Sequence, residues 1–207
     1  MKFLAALLQA IAASQIVFDS FLPPYDGATG TPISKNNSVS VRFRTPPEFS
    51  TPSGILSNST EVTLESVIFS LNTINIPTSE SLWLIGDLYP FFKFNQPPDG
   101  YNHPSTAPPT RIHIQSFAKR AMFEWFPPSN TSIIIVPNTL YWFTLHSNGE
   151  TKDKLPIWLN GVRKFSQAND LQGDVQLAYT TTANGNWTFV PAHENCNVPS
   201  LQVFAKN

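Results

Sequence analysis

The sequence is poor in the residue types on which many kinds of functional site depend. Its one cysteine, Cys196, allows neither an intrachain disulfide nor a thiolate metal cluster, and leaves two alternatives, burial or pairing with a second chain. Its 9 glycines form no phosphate-binding motif of the GxGxxG or P-loop kind. Its 13 basic and 14 acidic residues nearly cancel, which excludes the basic surface that nucleic-acid binding needs.

Long apolar runs are also missing, apart from one at the N-terminus. Lys2 precedes that run, small residues stand near its end at positions 10 and 12–14, and it is too short to cross a bilayer. This pattern predicts a signal peptide over residues 1–14, so that the mature protein begins near Gln15. We expect a soluble protein secreted to the extracellular space, with no stable membrane insertion and no nucleic-acid partner.

Four Asn-x-Ser/Thr sequons support the same secretory route. Each of them lies beside turn-forming residues, where an attached glycan would reach solvent. The predicted glycosylation sites are Asn36, Asn58, Asn130 and Asn186.

Prolines and clusters of Ser, Thr and Asn interrupt the chain so often that no helical periodicity is found after the signal peptide. The fold class predicted is all-β, a jelly-roll-like antiparallel β-sandwich with little or no helix. Residues 15–207 are expected to form one domain. The predicted strands are 16–21, 38–44, 62–74, 81–85, 111–117, 121–125, 132–136, 140–146, 174–179, 186–190 and 200–205.

Residues 133–145 are the most informative segment for the fold. They contain two apolar runs separated by Pro137, which cannot donate a ladder hydrogen bond, and by Asn138, which tolerates turn geometry. The second run is apolar on both faces, with Trp142 on one side and Phe143 on the other. It is therefore predicted to be a central strand covered on both sides.

A proline-rich segment around residues 90–110 cannot hold a strand ladder, so we expect a surface loop inserted within the domain. Aromatic residues around this loop are predicted to form an exposed cluster that contacts a ligand. They are Tyr89, Phe91, Phe92 and Tyr101.

The sequence gives little support for catalysis, and we predict no catalytic residue, metal or cofactor. GxSxG and HExxH motifs are missing. The four histidines are far apart in the chain: His103, His113, His146 and His193. Glu61 and Glu65, four residues apart, are a candidate acid pair, but acids that share one strand face in this way usually belong to a solvated surface.

The tryptophans allow an alternative interpretation, because flat indole rings can stack on sugars. Trp83 and Trp142 lie in apolar runs and are expected to fill the core, whereas Trp125 and Trp158 are less determined. Trp187 is the fifth tryptophan of the chain. A carbohydrate-binding module is therefore an alternative function.

Two segments, residues 63–71 and 136–145, have the form of paired strands, the second containing Tyr-Trp-Phe. In this they resemble the extracellular "choice-of-anchor" domain proteins. Residues 16–21 are similar to the first strand of that family, and residues 185–188 with 201–204 to its last two strands. The resemblance implies a jelly-roll-like β-sandwich at the cell exterior, of unestablished biochemical role.

Together these observations predict a secreted, N-glycosylated β-sandwich that has a binding or structural role outside the cell. Its expected partners are glycans or other matrix or surface proteins. A sandwich-fold glycan-active hydrolase or lyase is a third hypothesis, after the carbohydrate-binding module.

Overall fold

The computed structural model describes residues 14–26, 28–50, 61–77, 81–91, 110–115, 117–129, 131–150, 152–180, 186–192 and 194–207. A 3-10 turn over Lys152–Lys154 is the one helical element in these ranges, and no helix there could span a bilayer. The strands are β1 (Ser14–Asp19), β2 (Gly30–Pro32), β3 (Val39–Arg44), β4 (Val62–Asn72), β5 (Trp83–Pro90), β6 (Thr110–His113), β7 (Ala121–Trp125), β8 (Ile134–Ile135), β9 (Leu140–Ser147), β10 (Ile157–Ser166), β11 (Gln176–Thr180), β12 (Trp187–Pro191), β13 (Glu194–Pro199) and β14 (Gln202–Lys206).

These strands form two antiparallel sheets that pack against each other. The larger sheet has eight strands in the order β1-β14-β4-β10-β13, with β2 beside β10 and with β7 and β8 beside β4. The smaller sheet has six strands in the order β12-β11-β3-β9-β5-β6. The all-β antiparallel sandwich predicted from the sequence is confirmed.

The main core lies between the sheets and is built largely from aromatic side chains. Phe143 of β9 meets Trp158 of β10 edge-to-face, with ring centroids 6.0 Å apart, and meets Trp125 of β7 at 5.6 Å. The Trp158 indole nitrogen donates a hydrogen bond of 2.8 Å to the Ser200 carbonyl oxygen. Such rings bury a large area each, and the offset and edge-on contacts add to that burial energy.

The turn within residues 133–145 connects the two sheets. β8 pairs with β4 in the larger sheet, whereas β9 pairs with β3 and β5 in the smaller one. Asn138 in the turn has a positive φ of 50°. In β9, Tyr141 and Phe143 belong to the main core, while Trp142 points to the other side and is also buried. The prediction that this strand is covered on both sides is confirmed.

Three strands were not predicted: β2, β10 and β13. In β10 the residues Val162, Arg163 and Lys164 are exposed in succession, next to a register shift against β13. Because a bulge of this kind breaks the alternation of buried and exposed side chains, the sequence pattern conceals the strand. β5 also extends further than predicted, to Pro90, and β8 is shorter.

Candidate functional site

The outward face of the six-stranded sheet carries a second group of packed aromatic side chains. Trp142 on β9 is 1% exposed and Tyr89 on β5 is 5% exposed, although neither belongs to the main core. Half-buried rings pack against them at the end of β5 and on β12. We name this group the outer aromatic cluster: Tyr89, Phe91, Trp142, Trp187 and Phe189.

Strand register explains why these residues meet. Tyr89 lies opposite Trp142, which lies opposite Arg42 on the next strand. Ala178 of β11 lies opposite Phe189 of β12 and is fully buried. Because side chains alternate across a sheet, residues opposite one another share a face. The small Ala178 side chain lets the larger rings on either side close over it, and Trp142 and Phe189 lie 6.1 Å apart between centroids.

Arg42 fixes the position of two of the rings. Its guanidinium carbon lies 5.2 Å from the Phe91 ring centroid and 5.6 Å from that of Trp142. It also donates a hydrogen bond of 2.8 Å to the Gly173 carbonyl. Burial lowers the pKa of Arg42 from its ordinary value, and the nearby Asp174 carboxylate opposes this shift. A cation held against aromatic faces in this way stabilises the cluster.

Polar side chains form a row beside the cluster. Two of them are on β9, one is on β3, and one, Ser38, directly precedes β3. Ser38 Oγ lies 2.7 Å from His146 Nδ1, and Ser40 Oγ lies 2.7 Å from Thr144 Oγ1. The Tyr89 hydroxyl lies 2.8 Å from the same Thr144 oxygen and so joins the row to the cluster. We call Ser38, Ser40, Thr144 and His146 the outer polar row.

His146 is the one member of this row that has a basic side chain. Burial lowers its pKa below the ordinary value of 6.5. The imidazole is therefore neutral at pH 7 and has one donor and one acceptor nitrogen. It contributes hydrogen bonding to the outward face, not charge.

Two buried indole N–H groups, those of Trp142 and Trp125, have no hydrogen-bond partner among the residues that the structure describes. Trp125 belongs to the main core. Trp142 instead belongs to the outer aromatic cluster, against which the half-buried Phe91 and Phe189 pack. Buried donors are usually satisfied, so packing alone does not account for this group.

The predicted ligand-contact residues are placed as follows. The expected exposure of Tyr89 is wrong, because β5 continues to Pro90 and alternation packs Tyr89 beside Trp142. Phe91 is half-buried, and its backbone N–H donates to the Leu140 carbonyl at 2.9 Å. Phe92 and Tyr101 lie outside the described residues, as does most of the predicted loop. Ligand contact by these residues stays a prediction.

The tryptophans are divided between the two groups. Trp125 and Trp158 lie in the main core, and Trp142 is buried in the outer aromatic cluster. The expectation that Trp83 fills the core is wrong, because it is half-buried beneath the Arg111 guanidinium, 4.7 Å from the ring centroid.

Of the predicted glycosylation sites, Asn36 and Asn186 are both exposed. Asn36 lies in the tight turn closed by the bridge between Ser34 and Asn37, and Asn186 directly precedes β12. Asn58 and Asn130 lie outside the described residues.

A concave surface, which we name the edge cleft, opens where the two sheets meet near β1 and the end of β10, with a volume of about 260 Å³. Phe18 and Phe165 line it together with charged groups. Arg44 binds Asp174 in a bidentate manner, at 2.6 and 2.8 Å. Asp170 accepts hydrogen bonds from the backbone N–H groups of residues 174 and 175. These carboxylates hold the loop before β11 in place.

The other candidates from the sequence do not form a site. Glu61 is exposed and Glu65 is half-buried, and both alternate with the buried Val62 and Leu64 on the outward side of the larger sheet. The described part of the chain contains no group of three side chains able to bind a metal. Cys196 on β13 is half-buried and packs against the main core.

No family model, curated protein or solved structure matches this chain. The class of this protein is therefore defined by its fold and its site alone. It is an antiparallel β-sandwich whose smaller sheet has an outward face rich in aromatic and hydroxyl groups. The resemblance to choice-of-anchor proteins stays a prediction.

Proposed function

We propose that this protein is a secreted, non-catalytic β-sandwich that binds carbohydrate on the outward face of its six-stranded sheet. The observation that carries the proposal is the placement of the outer aromatic cluster beside the outer polar row. Phe91, Trp187 and Phe189 keep part of their rings accessible, and the half-buried Ser38, Thr144 and His146 lie on the same face, with the buried Ser40 bonded beneath them.

This combination matches the chemistry of a sugar. A pyranose ring presents an apolar C–H face, which packs on an aromatic ring, and an edge of hydroxyl groups, which both donate and accept hydrogen bonds. Ser, Thr and neutral His side chains also do both. Binding sites for small molecules commonly combine aromatic walls with a few polar groups that fix orientation.

The positions of four described acids support binding over hydrolysis; a fifth acid, Asp87, lies opposite Thr144 on the outward face and is buried. The carboxylates of Asp170 and Asp174 in the edge cleft are already engaged by backbone N–H groups and by Arg44. Glu61 and Glu65 lie along one strand face instead of across a groove. Glycoside hydrolysis needs two carboxyl groups flanking the scissile bond.

Secretion and N-glycosylation belong to the same proposal. They are supported by the apolar run and small residues within positions 1–14 and by the sequons, two of which lie at exposed positions in the structure. Glycans or glycosylated surface and matrix proteins are the partners that this proposal implies.

A glycan array probed with protein from a glycosylating host tests the proposal. We expect at least one oligosaccharide to bind, and hydrogen exchange of the complex to slow in β12, β9 and β5. Binding to no glycan would reject the carbohydrate ligand and leave a structural role. Protection confined to the eight-stranded sheet would reject the site.

A further inference from the structure

One edge of the six-stranded sheet is formed by β12, which among the described residues is protected at one of its two ends. β12 is the last strand of this sheet, and among the described residues no further strand pairs with its outer side. An edge strand presents unpaired backbone groups to which another chain can add a strand. Pro191 at its C-terminal end lacks an N–H group and so blocks pairing there. The N-terminal end of the strand has no such residue.

The sequence around this edge contains no charge. Residues 175–193, which include both β11 and β12, hold no Asp, Glu, Lys or Arg. The strand itself reads Trp-Thr-Phe-Val-Pro, rich in residues with high β propensity. Short, uncharged segments of this kind on a free edge are prone to intermolecular pairing, and proteins usually place lysine or another charge on them.

A sequon lies at the unprotected end. Asn186 directly precedes β12 and is exposed, and Thr188, which completes the sequon, is exposed as well. We propose that an N-linked glycan on Asn186 protects the β12 edge and keeps the protein monomeric, an inference that rests on the proposed secretory route. A glycan is bulky and hydrated, so it would exclude a second chain from the start of this edge.

The attachment uses a lipid-diphosphate-linked oligosaccharide as the donor. The Asn186 Nδ2 atom bonds to the anomeric carbon of the sugar, and the carbon–oxygen bond to the diphosphate breaks. The lipid diphosphate leaves with the electron pair, and the amide nitrogen loses one proton to solvent.

The structure provides a matched control at the same end of the sheet. The Thr180 N–H donates to the Ser38 carbonyl at 3.0 Å, and its hydroxyl donates to the Asn36 carbonyl at 3.3 Å. Thr180 also lies opposite Trp187 on β12. The Asn36 and Asn186 sequons therefore both lie near the end of β11. Asn36 precedes the interior strand β3, so a glycan there is attached two strands away from the edge strand.

Four variants, expressed in a glycosylating host, separate loss of a glycan from exposure of the edge. Asn186→Gln and Thr188→Ala each remove the sequon at the edge. Asn36→Gln removes the other one. Thr188→Lys removes the edge sequon but places a charge on the strand. Intact mass gives occupancy, circular dichroism checks the fold, and light scattering over a concentration series gives the oligomeric state.

We expect wild type, Asn36→Gln and Thr188→Lys to stay monomeric. Asn186→Gln and Thr188→Ala should at least double their weight-average mass as concentration rises. An unmodified Asn186 in the wild type, a monomeric Asn186→Gln, or equal association of Asn36→Gln would each overturn the inference. A failed glycan array would reject the carbohydrate ligand and leave these outcomes unaffected, so the two proposals fail separately.

Discussion

Single residues determine how closely the two sheets approach. Gly86 on β5 faces the Trp125 indole from the opposite sheet, and a Cβ atom at position 86 would lie 2.6 Å from Trp125 Cδ1. A real Cβ does not approach another atom so closely, so the absence of a side chain here is what admits the indole. Nothing in the local sequence around Gly86 indicates this contact, because it depends on which strand faces β5.

Gly86→Ala is therefore expected to destabilise the fold. Overpacking a filled core costs ~1 to 3 kcal/mol, which urea unfolding would measure as a loss of that size in the free energy of unfolding. Gly149→Ala is the control, since its added Cβ would meet the flexible end of the Leu155 side chain at 3.0 Å. Equal stability of Gly86→Ala and wild type would contradict the packing described for Trp125.

His146 makes the outer polar row sensitive to pH. Because burial lowers its folded-state pKa below 6.5, the unfolded chain binds this proton more readily than the folded protein does. Its contribution to the free energy of unfolding is complete above the pKa that His146 has in the unfolded chain, about 6.5. That contribution declines as the pH falls from there toward the lower pKa of the folded protein. Acid thus weakens the fold through this residue.

Replacing His146 with Gln should remove that dependence while keeping a hydrogen-bonding group near Ser38. Unfolding free energies measured from pH 7 down to pH 5 are expected to fall less steeply for His146→Gln than for wild type. The exposed His113, changed to Gln, provides the comparison. If both variants retained the wild-type slope, His146 would not be the buried titrating group.

Strands were predictable where side chains alternate without interruption. β3 and β4 do so over most of their length, whereas β9 is recognisable as a run that is apolar on both faces, and the predicted positions of all three agree with the structure to within a few residues. β10 and β13 could not be recognised, because a register shift between them disrupts the pattern and β13 is rich in polar residues.

The outer aromatic cluster was harder to predict than the strands that carry it. Tyr89 and Phe91 were selected for their position beside a proline-rich segment, and Tyr89 was wrongly expected to be exposed. Their contact with Trp142, and its contact with Phe189, depends on strand order in the sheet. A single sequence does not contain that order, although the alternation in β9 does place Trp142 and Phe143 on opposite faces of the strand.

The turn between β8 and β9 depends on the conformation of Asn138. Its φ of 50° is in the left-handed region, which costs most residues ~1 to 2 kcal/mol. Asn138→Ala should lower the free energy of unfolding by about that amount, whereas Asn138→Gly should cost less. Arg44 donates to the Asn138 backbone oxygen, a contact that both variants keep. An alanine variant as stable as the glycine variant would contradict the strained turn.

At the scale of the whole molecule, the smaller sheet separates two layers of side chains. Its inner face closes the main core against the larger sheet, and its outer face carries the aromatic cluster and the polar row. The proposed ligand therefore binds to a surface whose rings are supported from behind by a packed sheet. Such support holds a binding surface in place before the ligand arrives, which lowers the ordering cost of binding.

The most direct test is a calorimetric titration of Trp187→Ala and Phe126→Ala with an oligosaccharide that the wild type binds. Phe126 is 53% exposed and follows β7 of the other sheet, so it is a matched aromatic control. Thermal unfolding of each variant shows whether it is folded. We predict at least a tenfold loss of affinity for Trp187→Ala, about 1.4 kcal/mol, and no change for Phe126→Ala. Unchanged affinity in a folded Trp187→Ala, or an equal loss in both variants, would contradict the proposed site.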